Sequence, residues 1–285
     1  SKLIQNQNKT YFDLQIQGKK ISYNNILDVD SGIDFLSEFN EPTAVIIKHN
    51  NACGVASSDS ILKAFKKAFQ SDQNSSFGGV VLLNRRATKD LAKEITKNFF
   101  EIIVAPGFEK KAIEIFSKKE KLILLNLKEI NNIQESSRSV RLGTLIQKID
   151  SKPITKNDFS LVSKNKKILN NDLADIIFAF KVVKHIKSNA IVLVKNKQTI
   201  GIGAGQMNRF DATRLALMKY KDNFKITNFI CASDGFFPFI DSLEILIKNK
   251  CSCIVQPSGS INDKNIINFA NKKNIKLIFS KKRVF

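Results

Sequence analysis

The sequence predicts an α/β protein, and three observations lead there. Short apolar runs alternate with stretches whose apolar residues recur at helical spacing, the pattern of strands joined by helices. Glycine, proline and asparagine clusters punctuate the boundaries. The two halves of the chain also echo one another. In the first, Phe77-Gly78-Gly79 leads through a helix to Ile102-Ile103-Val104-Ala105-Pro106-Gly107, a second helix and Leu122-Ile123-Leu124-Leu125. In the second, Phe236-Phe237-Pro238-Phe239 leads through a helix to Cys253-Ile254-Val255-Gln256-Pro257, another helix and Leu277-Ile278-Phe279. A proline turn closes the middle run in both copies, where it stops a strand before a helix begins. The spacing predicts two units, 1–150 and 151–285.

In chain order, strands are expected at 44–47, 79–83, 101–104, 121–125, 190–194, 199–202, 228–231, 253–255 and 275–279. A helix is expected after Ser58-Asp59-Ser60, a capping cluster followed by Ile61, Phe65, Ala68 and Phe69 on one face. Others follow Asp172, with Leu173, Ile176, Ile177 and Phe180 aligned, and run from about Asp211 through Leu215 and Met218. The polar stretches 128–138 and 150–172 read as loop or linker. Gly54–Phe65 and Gly203–Leu215 read as matching loop-to-helix passages.

Composition narrows the function class. At 285 residues and 43% hydrophobic content, each half is long enough to bury its own core. No apolar run approaches the roughly 18 residues of a membrane span. The first residues lack a signal-peptide pattern, so a cytoplasmic protein with no membrane partner is expected. Four cysteines do not make a disulfide framework, and Cys251-Ser252-Cys253 lacks the spacing of a zinc or redox pair. The net charge of +20, from 46 basic and 26 acidic residues, is spread over helix faces instead of forming one stripe. It permits attraction of anionic small molecules. A basic nucleic-acid-binding protein is an alternative that the charge allows, but no reader motif supports it.

Lys48-His49 is the strongest chemical signal. It follows Ala44-Val45-Ile46-Ile47 and precedes Asn50-Asn51-Ala52-Cys53-Gly54, a stretch read as a polar loop unable to continue a packed strand. A neutral imidazole can accept a proton at pH 7, and an ammonium can stabilise developing negative charge. A surface lysine beside a hydrogen-bonded histidine is the plainer alternative. The only other histidine is His185, also preceded by a lysine. Asn189 can orient a ligand edge or cap a turn. Gly201–Gln206 can expose amides to an anion, with Arg209 adding a fixed charge, or simply form a tight turn. Ser233–Asp241 places Phe236, Phe237 and Phe239 between carboxylates, suited to a flat ligand or to core packing. Zinc-deaminase and nucleophile-elbow motifs are missing.

The ordered set of Ile21–Asn25, Lys48–Ala56, Ser76–Gly79, Val104–Pro106, Arg138–Arg141, Lys184–Ala190, Gly201–Arg209, Ser233–Asp241, Gln256–Ser260 and Arg283–Phe285 resembles the transformylase part of the bifunctional purine-biosynthesis enzymes. That resemblance implies two cytidine-deaminase-like α/β/α halves without catalytic zinc, and a homodimer with active sites at its interface. It implies 10-formyltetrahydrofolate as formyl donor and aminoimidazole carboxamide ribonucleotide (AICAR) as acceptor. His49 would relay the amine proton, and Lys48 would stabilise the oxyanion or protonate the departing folate nitrogen. Asn189 and Asp241 would orient the reacting groups. Gly78, Glu101, Arg209, Phe236 and Arg283 would line the substrate sites. The family's cyclohydrolase domain and its arginine-tyrosine-glycine segment have no counterpart in this sequence, and Ala52 stands where proline is common. A non-catalytic nucleotide-binding module of the same family is the alternative reading.

Overall fold

All nine expected strands form. The computed structural model describes residues 10–128, 135–164 and 167–284. In chain order these hold β1 (Gln15–Gln17), α1 (Tyr23–Ser37), β2 (Thr43–Lys48), β3 (Asn51–Ser57), α2 (Ile61–Ser71), α3 (Gln73–Ser76), β4 (Val80–Leu83), α4 (Lys89–Ile95), β5 (Ile102–Ala105), α5 (Lys110–Phe116) and β6 (Ile123–Asn126). There follow β7 (Glu135–Val140), β8 (Gly143–Lys148), β9 (Phe159–Leu161), α6 (Asn170–Val183), β10 (Ile191–Lys195), β11 (Gln198–Gly203), α7 (Arg209–Asn223), β12 (Phe229–Ser233), α8 (Asp241–Lys248), β13 (Cys251–Pro257), α9 (Asp263–Lys272) and β14 (Lys276–Ser280).

Twelve strands make one mixed sheet in the order β1-β6-β5-β4-β2-β3-β11-β10-β12-β13-β14-β9. The order and strand senses read the same from either edge. Each half has an antiparallel hairpin (β2–β3, β10–β11), an antiparallel step to β4 or β12, two parallel steps, and an antiparallel edge strand. The halves meet where β3 pairs with β11, Ala56 opposite Gln198. The repetition extends to single residues. Gly54 and Gly201 stand at matching positions in β3 and β11. A Cβ there would lie 2.0 Å from Ala68 O of α2 or 2.2 Å from Ala216 O of α7. Only glycine lets strand and helix approach this closely.

Alternate strand residues serve the two faces. Val45 and Ile47 join a core shared by α1 and α6 that spans both halves, while Ala44 and Ile46 join a core under α2, α4 and α5. A third core packs α7, α8 and α9 against the second half. Among the described residues no helix is long and apolar enough to cross a membrane.

Three sequence expectations are corrected. The stretch after Lys48-His49 is not an open loop, because Asn51–Ser57 pairs with β2 as β3. Its small residues carry little strand propensity, and clearance beneath α2 keeps them there. Gly54 and Gly203 accordingly lie within β3 and β11, not in loops. In the expected linkers, 135–138 opens the exposed antiparallel ribbon β7–β8, which continues to Lys148, and Phe159–Leu161 forms the edge strand β9 beside β14. Residues 129–134 and 165–166, also within those linkers, lie outside the described residues, as do 1–9 and 285.

Candidate active site

The Lys48-His49 doublet sits at a two-residue hairpin turn. Lys48 pairs with Asn51 across the turn, and His49 and Asn50 both adopt positive φ, 54° and 59°. Positive φ at both central residues defines a type I′ turn, whose twist matches that of the flanking strands. Each such residue without glycine's freedom costs on the order of 1 kcal/mol, so the turn needs external support. Asp28 on α1 supplies it. Its carboxylate accepts from Asn50 N at 2.7 Å and His49 N at 3.3 Å. The ring of His49 is left exposed, while Lys48 Nζ donates to Phe77 O at 2.6 Å.

Strand sense decides what else lies at this end of the sheet. The C-terminal end of β2 is flanked by the N-terminal ends of β3, β4 and, further out, β5. From the other half come the C-terminal ends of β11, β12, β13 and β14 and the N-terminal end of β10. Open parallel sheets hold ligands beyond strand C-termini. Here that rule describes the second half only, and the first half presents its parallel strands the other way round. Gly78 (φ +72°) precedes β4 and donates to Phe99 O at 2.9 Å. Glu101 precedes β5, and its carboxylate accepts from Asn25 Nδ2 at 3.2 Å and faces Lys19 Nζ at 3.3 Å.

Asn189 precedes β10, and its Nδ2 donates to Gln206 O at 2.8 Å. The loop carrying it reaches the first half through Asn51, whose Oδ1 accepts from Lys187 N at 3.2 Å. Arg209 opens α7 and is largely committed internally. Its Nε donates to Ser233 Oγ at 2.8 Å, Nη1 to Phe236 O at 3.2 Å and Nη2 to Asp234 Oδ1 at 2.7 Å. Asp234 is buried and also accepts from Ala190 N, Gly235 N (3.0 Å each) and Ser188 Oγ. The Phe236 ring lies 5.8 Å from the guanidinium of exposed Arg283, a cation–π distance. Asp241 opens α8 and accepts from Ser242 N at 2.6 Å.

A cleft of about 360 Å³ opens beside the turn, lined by Lys48, His49, Cys53, Asp72, Ser75 and Lys219 among others. Burial raises the carboxyl of Asp72, but Lys219, 2.6 Å away, and Ser75 outweigh it and hold the group below its ordinary range. Burial, with the Asp72 charge adding to it, pushes the Cys53 thiol up to about 12, so that sulfur is a poor nucleophile. The arrangement thus offers an accessible proton acceptor, a cation, and hydrogen-bonding groups from both halves.

Residues 2–219 match the family model described as AICARFT/IMPCHase bienzyme. The chain belongs to this family. Over 273 residues it is 46% identical to the "Bifunctional purine biosynthesis protein PurH" of Caldicellulosiruptor saccharolyticus, covering 95% of this chain and 52% of that protein. The corresponding proteins of Caldicellulosiruptor bescii and Buchnera aphidicola subsp. Schizaphis graminum are each 45% identical, again over 95% of this chain and 52% of theirs. The chain therefore spans about half the length of the curated relatives it matches.

Within this family member, the nine site residues named from sequence all lie at the one sheet end, in two groups. Lys48, His49, Gly78 and Glu101 come from the first half; Lys48 and His49 line the cleft beside the β2–β3 turn, and Glu101 lines a second cleft with Lys19 and Phe99. Asn189, Arg209, Phe236, Asp241 and Arg283 come from the second half. Asn51 and Lys187 link the groups. His185 lies elsewhere, hydrogen-bonded to Glu38 at 3.1 Å and packed on Phe35. Sequence reasoning missed Asp28, Asp72, Ser75 and Lys219, and it passed over Asp234 in favour of Asp241. The signal for Asp28 was slight: a helix is announced by Ser22 and Asn25, which form a capping box.

Proposed function

We propose that this chain acts in purine biosynthesis by transferring the formyl group of 10-formyltetrahydrofolate to the 5-amino group of AICAR, giving the formylated nucleotide. The amine nitrogen attacks the formyl carbon and a tetrahedral oxyanion forms. Collapse then breaks the bond to folate N10. His49 takes the proton the amine must lose, and Lys48 stabilises the oxyanion or protonates N10 as it leaves. Asn189 and Asp241 orient the reacting groups. Gly78, Glu101, Phe236 and Arg283 contact substrates, and Arg209 shapes the Phe236 loop.

One observation carries the reading: a supported type I′ turn presents an exposed imidazole and an adjacent ammonium on an open cleft that both halves border. Membership in a family described as AICARFT/IMPCHase bienzyme supports this reaction class. The two-fold repetition of the sheet supports the deaminase-like description of the halves. A homodimer with shared sites belongs to the same proposal, supported by the apolar Leu142, Leu145 and Ile146 that the β7–β8 ribbon exposes.

The test is formyl transfer followed spectroscopically. His49→Ala should lower turnover by about 10²–10⁴-fold, the usual worth of a positioned base, with a much smaller change in nucleotide affinity. Equal losses in both would reduce the ring to a binding group. Nucleotide binding with no transfer by the parent chain would replace the proposal with that of a binding module.

A further inference from the structure

We infer that Asp28 is the positioning residue that fixes the His49 ring in the cleft, and that α1 is the element that indexes the turn to the rest of the site. The inference rests on the formyl-transfer reading for its kinetic consequence and on geometry alone for the positioning itself. On α1, Asn25, Asp28 and Ser31 recur every three residues and so share one face. Asn25 Nδ2 binds Glu101 at 3.2 Å, Asp28 binds the amides of His49 and Asn50, and Ser31 Oγ donates to Asn50 O at 3.3 Å. With its amide turned to donate, Asn50 Nδ2 also reaches Leu27 O at 3.1 Å and Asp28 Oδ1 at 3.2 Å. Every polar backbone group directed at α1 from this turn thus ends on that face, and the carboxylate holds two donors at once.

The second half contains the control. Its β10–β11 turn has the same conformation, Asn196 and Lys197 at φ 51° and 53°. Asp175 of α6 accepts from both turn amides, at 2.8 and 2.7 Å. Asp28 and Asp175 occupy the same position, counted from the first residue of α1 and α6. The device is therefore a general holder of type I′ turns in this fold. Only at Asp28 does the turn it holds carry an imidazole.

The experiment compares Asp28→Ala and Asp28→Asn with Asp175→Ala. With two histidines in the chain, imidazole proton resonances are readily assigned by His49→Ala. Asp28→Ala should move or broaden the His49 resonances and speed amide exchange at His49 and Asn50, leaving His185 unchanged. It should lower kcat about 10²-fold, as a displaced reacting group does, with KM for the nucleotide within about threefold. Asp28→Asn, which keeps one acceptor, should recover part of that loss. Asp175→Ala should speed exchange at Asn196 and Lys197 and leave kcat and the His49 resonances alone. Unchanged His49 resonances and exchange in Asp28→Ala would overturn the inference, as would equal kcat losses in the Asp28 and Asp175 variants. If the parent shows no formyl transfer, the function proposed above fails, yet the resonance and exchange measurements still decide the positioning role.

Discussion

Replacing Asp234 separates the worth of a buried charge from that of its hydrogen bonds. The carboxylate side chain is 1% exposed and its Arg209 partner 11%, so water screens neither. In Asp234→Asn the amide oxygen can take the place of Oδ1, keeping Arg209 Nη2, Ala190 N and Gly235 N satisfied. The new NH₂ would face Ser188 Oγ, which can turn to accept. What is lost is the counter-charge to a buried guanidinium. Breaking a buried pair from one side costs about 3–5 kcal/mol. The asparagine variant should fall near 3 and Asp234→Ala, which also abandons the donors, near 5 or above. Urea unfolding followed by far-UV circular dichroism and intrinsic tyrosine fluorescence reads this as a lowered midpoint with an unchanged slope. The double variant Arg209→Met, Asp234→Leu should be less damaged than the sum of its single changes, because it leaves no unpaired charge. An asparagine variant within about 1 kcal/mol of the parent, or strict additivity in the double variant, would refute the reasoning.

Other outcomes follow from the same geometry. Burial raises the Glu38 carboxyl, but hydrogen bonds from His185 and Lys184 outweigh it and bring the group down to about 2 from 4.5. The stabilisation is therefore whole above about pH 4.5 and is lost as pH falls towards 2, about 3 kcal/mol in all; stability measured across that window should be flatter in Glu38→Gln. The Cys53 thiol, held near 12 against an ordinary 9.0, should be alkylated by iodoacetamide at pH 8 about 10³-fold more slowly in the folded chain than in urea, as counted by mass spectrometry. Gly54→Ala and Gly201→Ala each drive a Cβ into a helix carbonyl at 2.0 or 2.2 Å. Each should lower stability by at least about 1–3 kcal/mol in urea titrations, and near-neutral behaviour of either would mean that the helix can move aside.

What the sequence revealed depended on how local each feature's cause is. β4, β5, β6 and β12 are short apolar runs buried on both faces, so their composition alone marks them. α2 was legible because Ser60 caps it, its side chain accepting from Lys63 N, and because Ile61, Ala64, Phe65 and Ala68 fall on its buried side. α1 escaped because Gly32 and three aspartates interrupt its apolar stripe of Val29, Phe35 and Leu36. β3 escaped because its identity is tertiary: Ala52, Cys53 and Gly54 favour no strand by themselves, and the pairing to β2 together with the close approach of α2 decides the matter. β7 and β8 are exposed throughout and show no alternation to read. At the site, Lys48 and His49 stood out as residue types. Asp28 could not, since its role exists only once a two-residue turn is recognised between β2 and β3, and β3 itself was not legible.

The repetition of the sheet sharpens what makes one end chemically distinct. The same topology builds two type I′ turns at opposite ends, each gripped by an aspartate from the helix that precedes its hairpin. Geometry alone therefore cannot explain why the first turn would be catalytic. The difference lies in what the turns carry and what surrounds them. At the second, Lys195 stands where Lys48 does at the first and likewise donates to a backbone carbonyl, Asn228 O at 2.6 Å, and Asn196 takes the place of the imidazole. At the first, the ring is exposed, Lys48 rests on a neutral carbonyl, and the strand ends of the other half bring Asn189, Phe236 and Arg283 to the same side. The lysine on a carbonyl is thus common to both turns, and the imidazole is not. The duplicated frame supplies two equivalent platforms, each with a lysine on a carbonyl, and the one histidine, together with the groups the other half brings beside it, assigns the chemistry to one of them.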